Sequence, residues 1–329
     1  MSLVRTAFEW LPEQVRRDIA RRRAELRGIG QLAVNQRLFA LRLAELEGER
    51  ALGTSTPEVP DPRFPEGVRS RLCTHAQFSE PWFTKWCEAI RERPAVHMKN
   101  WEFGYVAETL DRLGLLQPGR RAVGFGVGRE PLISAFANRG VEVVATDLEP
   151  DSREALGWVR SNQHSHGGVD YMLREGACDP AKFRELVSWR PVDMRSIPAD
   201  LKGFDFCWSV CSLEHLGTLA AGLDFIENSL STLVPGGIAV HTTAFNVHSN
   251  EDTLETGPTV AYRERDLLEF RDRLEAKGHE VAAFDFSKGD GLFDRYIDVP
   301  PYGEEPGVKF LFGAYTLTSV AIVIRAKPE

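Results

Sequence analysis

Residues 122–131 read Ala-Val-Gly-Phe-Gly-Val-Gly-Arg-Glu-Pro, and they give the strongest local indication of the fold class. It is typical of a short apolar strand that runs into a glycine turn and then into a helix. Glycine lets the backbone turn tightly and approach a ligand where a side chain would collide. The first N–H groups of the following helix can bind an anion. Because such turns are also common as purely structural elements, this motif alone leaves ligand binding open.

The next predicted strand strengthens the case for a cofactor. Residues 141–147 read Val-Glu-Val-Val-Ala-Thr-Asp, so the strand ends in Asp147, nineteen residues after Gly128. A carboxylate at this place can accept both ribose hydroxyls of an adenosine-containing cofactor. The two motifs together predict a Rossmann-like site, but they do not separate S-adenosylmethionine (SAM) from NAD.

Two later motifs distinguish SAM from NAD as the expected cofactor. Residues 192–198 (Val-Asp-Met-Arg-Ser-Ile-Pro) precede an apolar strand at 204–210, and residues 211–216 (Cys-Ser-Leu-Glu-His-Leu) lead into a helix. That helix closes in Leu-Val-Pro-Gly-Gly at 233–237. With four motifs in this order, the chain resembles the class I SAM-dependent methyltransferases over residues 100–286. The sequence of the glycine turn is also similar to that of methyltransferases associated with bacterial glycan synthesis.

The resemblance implies SAM as cofactor and a set of residues that contact it. Gly126 and Gly128 match the turn under the methionine half of SAM, and Asp147 matches the ribose-binding acid. Asp193 matches the acid at the adenine amino group, while Ser209 lies where a strand end passes beneath the methyl donor. The full set expected at the cofactor is Gly124, Phe125, Gly126, Gly128, Glu130, Asp147, Leu148, Asp193, Met194, Ser209, Trp101 and Tyr105.

The glycine turn departs from the family pattern, which usually has an acid two residues before the first glycine. Here Glu130 could supply that charge toward the SAM ammonium group, or it could merely cap its own helix, where an acid contributes ~0.3–1 kcal/mol. The segment at 97–105 has two readings as well. It resembles a lid over SAM, and it also fits a packed helix that buries Trp101 and Tyr105 against the sheet.

Catalysis of methyl transfer requires chiefly that donor and acceptor be held in line. An alcohol acceptor also needs a base, and His215 is the first candidate because it follows a strand at the ligand-binding edge of the sheet. Glu214 is the immediate alternative. A purely structural role for His215 also fits, since Leu-Glu-His is common in the family whatever the acceptor. No spacing of His, Asp or Glu indicates a metal site.

The predicted fold is α/β: a mainly parallel, doubly wound, seven-stranded sheet with an antiparallel C-terminal strand. A helical extension at 1–53 and a proline-rich linker at 54–67 precede the methyltransferase domain at 68–329. Within that domain we expect a core at 100–286, a loop insertion at 287–315 and a C-terminal strand at 316–326. The strands are predicted at 121–126, 141–146, 190–194, 204–210, 237–245, 279–286 and 316–326, and the helices at 81–91, 101–116, 130–139, 151–162, 179–188, 218–233 and 263–277.

Composition narrows the class of protein. The 329 residues are 43% hydrophobic with a net charge of −8, which disfavours a nucleic-acid footprint, and no stretch is apolar enough for a membrane span. Five cysteines without a CxxC pair indicate reduced thiols and a cytoplasmic protein. Amphipathic helices before residue 53 suggest a homo-oligomer. His164 and His166 are expected on an exposed loop.

The leading functional hypothesis is O-methylation of a sugar or another small hydroxylated acceptor, so that the partner is a small-molecule or glycan acceptor. An NAD-dependent oxidoreductase would share the first two motifs, although Pro131 occupies its third glycine position. A non-catalytic, SAM-binding interaction protein is the second alternative, because the acid of the glycine turn is altered.

Overall fold

The computed structural model describes residues 61–152, 163–164, 168–300, 302–303 and 305–328, together with positions 13–14, 17–18, 21–22 and 32. Most of the predicted helical extension, the first part of the predicted linker, the predicted helix at 151–162 from residue 153 onward, and His166 lie outside these residues. No helix in the described part of the chain is long and apolar enough to cross a membrane.

Seven α-helices lie in the described ranges. They are α1 (Pro81–Ala89), α2 (Met98–Arg112), α3 (Leu132–Asn138), α4 (Val169–Met172), α5 (Pro180–Leu186), α6 (Leu219–Ser229) and α7 (Glu264–Glu275). Short 3-10 turns occur at His75–Ser79, Leu213–His215 and Leu230–Thr232. Local signals set several of these boundaries: the Asp179 and Thr218 side chains each accept backbone N–H groups at the starts of α5 and α6.

Within the described residues, the sheet is built from eleven strands. They are β1 (Ser70–Leu72), β2 (Arg121–Gly124), β3 (Glu142–Asp147), β4 (Val187–Pro191), β5 (Phe204–Val210), β6 (Leu233–Asn246), β7 (Glu280–Val281), β8 (Phe284–Asp285), β9 (Ile297–Asp298), β10 (Lys309–Phe312) and β11 (Tyr315–Arg325). Their main order is β4-β3-β2-β5-β6-β11-β1-β8. The first five are parallel, and β11 runs antiparallel beside β6. The predicted α/β sheet with an antiparallel C-terminal strand is therefore confirmed.

The strand count of seven is corrected to eleven. The added strands β1, β9 and β10 have two to four residues, which is too short for a hydrophobic period to be read. The predicted strand at 279–286 is also divided into β7 and β8. The predicted loop at 287–315 contains β9 and β10, and β10 pairs antiparallel with β11. Its anchor is the buried Lys309, whose Nζ donates to the carbonyls of Lys288 (2.7 Å) and Asp294 (2.9 Å).

The described end of the predicted linker packs on the domain. Phe64 is buried, and Arg63 donates to Glu275 Oε1 at 2.7 Å. The N–H of Ala283 donates to Asp61 Oδ2 at 2.9 Å. Residues 61–67 thus form part of the folded body, although their prolines and glycine resemble a linker.

The chain order reverses between β2 and β5. From β2 the chain proceeds outward through β3 and β4, and it then returns to β5 on the other side of β2. Loops that leave neighbouring strands in opposite directions open a crevice at the carboxyl ends of those strands, where α/β folds bind ligands.

Candidate functional site

A cavity of about 410 Å³ lies at the carboxyl ends of β2, β3 and β5. The structure brings eight of the predicted site residues together in its wall: Gly126, Gly128, Glu130, Asp147, Leu148, Asp193, Met194 and His215. Its volume falls in the range of about 300–1,000 Å³ that is usual for small-molecule sites.

The glycine turn forms the floor of the cavity. Gly126 and Gly128 have φ of +59° and +51°, in the left-handed region that favours glycine. A Cβ atom on Gly128 would lie 2.2 Å from the carbonyl oxygen of Gln163, and one on Gly126 would lie 2.9 Å from the side chain of Ser212. Glycine is therefore required at both positions for close packing as well as for the turn.

Asp147 ends β3 and is held at the edge of the cavity. Its Oδ2 accepts the N–H of Gly128 at 3.1 Å, and its Oδ1 accepts the N–H of Leu148 at 2.9 Å. The ring of His164 is buried, with Nε2 2.9 Å from the carbonyl oxygen of Leu148. His164 thus supports the end of β3 from the protein interior. The prediction that it lies on an exposed loop is therefore corrected. Oδ1 of Asp147 also lies 3.7 Å from Nε2 of His164, so several contacts hold this carboxylate in place.

Asp193 faces the cavity in an ion pair with Arg195. Two nitrogens of the guanidinium contact the carboxylate, with Nε 3.0 Å from Oδ1 and Nη2 2.8 Å from Oδ2. These bonds lower the pKa of Asp193, so its carboxylate is ionised at neutral pH. The neighbouring Met194 is buried, and a Cβ on Gly126 would lie 3.1 Å from its sulfur.

Glu130 is a buried carboxyl group on the cavity wall. It accepts a hydrogen bond from the indole N–H of Trp208, and α3 begins only at Leu132 with no side-chain cap. The helix-cap alternative is therefore not supported. Burial is the largest influence on Glu130 and raises its pKa to about 8.

Trp101 and Tyr105 do not reach the cavity, which corrects the expected cofactor contacts. Their rings are stacked at 5.0 Å, and the Tyr105 hydroxyl donates to the carbonyl of Arg69 at 2.8 Å. Both side chains are buried in the core. The face of α2 that lines the cavity carries Lys99 and Phe103 instead.

Gly124 and Phe125 support the site from behind rather than lining it. A Cβ on Gly124 would lie 2.5 Å from the ring of Trp208, so this glycine makes room for the indole. Phe125 is fully buried with its ring 5.3 Å from that of Phe225. Their predicted contact with the cofactor is corrected to a packing role.

The predicted contact of Ser209 with the cofactor is corrected in the same way. Its hydroxyl lies 2.8 Å from Nδ1 of His241, whose Nε2 lies 3.2 Å from the hydroxyl of Ser229 on α6. All three residues are buried. The Ser209 side chain thus belongs to a polar network inside the core, beneath α6.

This network makes stability depend on pH. Burial lowers the pKa of His241 to about 3, whereas an unfolded histidine titrates near 6.5. Below pH 6.5 His241 is protonated in the unfolded chain but stays neutral in the folded chain. Each unit by which the pH falls below 6.5 should therefore lower the free energy of unfolding by about 1.4 kcal/mol. Urea unfolding at pH 7.5 and 5.5 should show a smaller loss in His241→Gln than in the parent. An equal loss in both proteins would contradict this assignment.

His215 is the predicted base that lines the cavity. It ends the 3-10 turn after β5, and its Nδ1 lies 2.7 Å from the carbonyl oxygen of Pro258. A carbonyl can only accept, so Nδ1 carries the proton and Nε2 is the acceptor nitrogen. In this tautomer Nε2 is the ring nitrogen that can take up a proton.

Glu214 does not line the cavity. Its side chain is buried, Oε2 accepts a hydrogen bond from the Thr243 hydroxyl at 3.1 Å, and burial raises its pKa. Its alternative role as a catalytic residue is therefore corrected: adjacent residues on the turn face different ways, and His215 is the one that faces the cavity.

Sequence reasoning missed a polar cluster on the cavity wall. Cys211 has φ of +46°, and its thiol donates to Oε1 of Glu102 at 2.8 Å. Lys99 lies 2.7 Å from Oε2 of the same carboxylate, and the Ser319 hydroxyl donates to Oε1. The available signal was the Lys-x-x-Glu spacing at 99–102, because residues three apart lie on one helix face and the segment at 97–105 also fitted a packed helix.

No family model matches the chain, and no curated protein matches it. Among solved structures, the glycopeptide N-methyltransferase MtfA shares 15% identity, with 69% of this chain and 95% of that chain covered and a TM-score of 0.41.

Two further structures show the same level of similarity. CalS10 from Micromonospora echinaspora, an amino pentose methyltransferase, shares 15% identity over 74% of this chain and 96% of that chain, with a TM-score of 0.38. The CcbJ methyltransferase from Streptomyces caelestis shares 14% identity over 65% and 86%, with a TM-score of 0.37. At such low identity, what these proteins act on is not transferred to this chain.

Proposed function

We propose that the protein is a SAM-dependent methyltransferase. One observation carries the proposal: at the point where strand order reverses, a single cavity brings the glycine turn together with Asp147 and Asp193. In this proposal Asp147 accepts hydrogen bonds from the ribose hydroxyls, and Asp193 accepts one from the adenine amino group. In this proposal the methionine half lies against the turn that the positive φ of Gly126 and Gly128 allows.

The reaction we propose is transfer of a methyl group to a hydroxyl of a sugar or another small acceptor. SAM supplies a methyl group that its sulfonium already activates. The chain must then hold the acceptor oxygen in line, exclude water and accept one proton. His215 Nε2 is the proton acceptor, and hydrogen bonding of Nδ1 to Pro258 keeps the ring in the required orientation.

The function is tested by the mass of the product. The full chain is incubated with methyl-labelled SAM and a panel of nucleotide sugars, glycans and small alcohols, and the gain of one labelled methyl group is sought. Tight NADH binding without SAM binding would instead support an oxidoreductase. SAM binding without transfer to any acceptor would support a non-catalytic interaction protein.

We further propose that residues 1–53 mediate self-association. Amphipathic helices expose an apolar stripe that is rarely left in water. Deletion of residues 1–53 should leave a folded domain, since the packing of Phe64 and Arg63 stays intact. Light scattering should show a smaller assembly than that of the full chain. An unchanged oligomeric state, or an insoluble product, would contradict this role.

A further inference from the structure

An apolar patch without charged side chains lies on the hairpin of β10 and β11. Across the hairpin, Phe310 pairs with Leu317, and Phe312 pairs with Tyr315. Paired residues share a face, so these four side chains lie on one side of the sheet. The apolar patch consists of Leu254, Phe310, Phe312, Tyr315 and Leu317, packed on Ala244 and Ala261. Leu317 is buried, and the other four residues of the patch are only partly buried.

The apolar patch lies on the same face of the sheet as one wall of the cavity. Side chains of alternate strand residues point to the same side, so Tyr315 and Leu317 share a face with Ser319. The Ser319 hydroxyl donates to Glu102 on α2, the helix that lines the cavity with Lys99. Tyr315 is four residues from Ser319 along β11, or about 13 Å. The patch therefore begins a short distance beyond this wall.

Strand β6 makes the same connection from the other side. Val210 at the end of β5 lines the cavity, and its register partner on β6 is Thr242. Ala244, on which the apolar patch packs, follows two residues later and so lies on the same face as Thr242. The sheet thus presents a continuous surface from the cavity to the patch.

The loop at 254–261 touches both regions. Leu254 and Ala261, at its two ends, pack in or beneath the apolar patch. Between them, the carbonyl oxygen of Pro258 lies 2.7 Å from Nδ1 of His215 on the cavity wall. A ligand whose reacting group lies at His215 therefore has the patch as a neighbouring surface.

The chemistry of the apolar patch restricts what can cover it. Contiguous apolar surface on a folded domain marks a binding site more often than a free surface. A charged or strongly polar group would lose its hydration there without gaining a partner, because no side chain of the patch is charged. The C–H groups of an alkyl chain or an aromatic ring carry no such cost, and their burial is favourable.

We propose that the apolar patch binds an apolar part of the acceptor, an alkyl chain or an aromatic ring, while the acceptor hydroxyl lies at His215. The inference rests on the proposed function and narrows its substrate class. The preferred acceptor is amphiphilic: it carries the hydroxyl that receives the methyl group at one end and an apolar group at the other.

Paired glycosides test this preference. Methyl and octyl glycosides of several sugars share the hydroxyl groups and differ in the apolar part. Their binding to the full chain is titrated by NMR with S-adenosylhomocysteine present, below the micelle concentration of the octyl compounds. Each CH₂ that becomes buried should improve affinity by up to about fourfold, so an octyl glycoside should bind at least about tenfold more tightly than its methyl partner.

Variants of the hairpin assign the preference to the apolar patch. Phe312→Ser and Tyr315→Ser should each lower affinity for the octyl glycoside about tenfold and leave affinity for S-adenosylhomocysteine unchanged. Ala314→Asp is a second test that spares the core, since Ala314 is exposed in the turn beside the patch. Leu292→Ser is the matched control, because Leu292 is an exposed apolar residue outside the patch.

The outcomes distinguish this inference from the proposed function. If S-adenosylhomocysteine does not bind the parent protein, the proposed function fails and the inference fails with it. If it binds but octyl glycosides bind no more tightly than methyl glycosides, the inference alone is overturned. The same holds if the hairpin variants keep the parental preference. A change in oligomeric state of these variants, with the preference unaltered, would instead make the patch a contact between copies of the chain.

Discussion

Replacement of His215 by alanine should lower the rate of methyl transfer by roughly 10²–10⁴-fold and leave cofactor affinity almost unchanged. The expectation follows from the tautomer: Nδ1 is committed to the carbonyl of Pro258 at 2.7 Å, which makes Nε2 the acceptor. The imidazole lines the cavity at the turn that follows β5, whereas Asp147 ends β3. Its loss should therefore affect the chemical step and not cofactor binding.

The measurement is single-turnover transfer from labelled SAM, with cofactor affinity determined in parallel. Acceptors with more acidic hydroxyls should lose less rate in His215→Ala, because they need less help in giving up the proton. His279→Ala is a suitable control, because His279 accepts a hydrogen bond from the N–H of Lys327 and is not among the residues that line the cavity. Near-normal turnover in His215→Ala would leave this histidine a structural residue.

Replacement of Asp147 by alanine should weaken binding of S-adenosylhomocysteine by about 10²–10⁴-fold. Two hydrogen bonds from ribose hydroxyls to the carboxylate would be lost, each worth roughly 1.5–3 kcal/mol. Asp147→Asn should have a smaller effect, since the amide keeps one oxygen acceptor but loses the charge.

Calorimetry provides the affinity, and thermal unfolding checks that the variant is folded, because Asp147 also accepts the N–H of Gly128. Glu142→Ala is the matched control at the start of the same strand, where the side chain is exposed. Unchanged affinity in a folded Asp147→Ala protein would remove this residue from the site.

The positions along the backbone could be predicted from the sequence because short-range constraints determine them. A glycine that must adopt positive φ and an acid that ends a buried strand mark the same places in almost any α/β fold. Gly126, Gly128, Asp147 and Asp193 accordingly lie together on the cavity wall.

The direction of individual side chains could not be predicted in the same way. Each residue of a helix is turned by about 100° from the one before, so a segment next to the cavity presents only part of its surface. Trp101 and Tyr105 point into the core, while Lys99 and Phe103 on the same helix line the cavity. For the same reason, the sequence could not decide whether His215 or Glu214 faces the cavity.

The short strands escaped prediction for a different reason. Ser70–Leu72 is too short for a pattern of its own, and its partners are Val320 and Ala321 on β11. This segment is a strand only because it pairs with residues that are far away in the sequence. The local sequence pattern therefore predicts no strand there.

The hydrogen bond between Ser319 and Glu102 has a consequence for the order of assembly during translation. A ribosome delivers the chain from the N-terminus, and every residue that lines the cavity lies between positions 92 and 216. Glu102, which anchors Lys99, nevertheless bonds to a strand that leaves the exit tunnel much later. Contacts of such long sequence separation form slowly. A nascent chain stalled before β11 would thus hold all the lining residues but lack the Ser319 bond to Glu102, and we expect it to bind the ligand more weakly than a chain that includes β11.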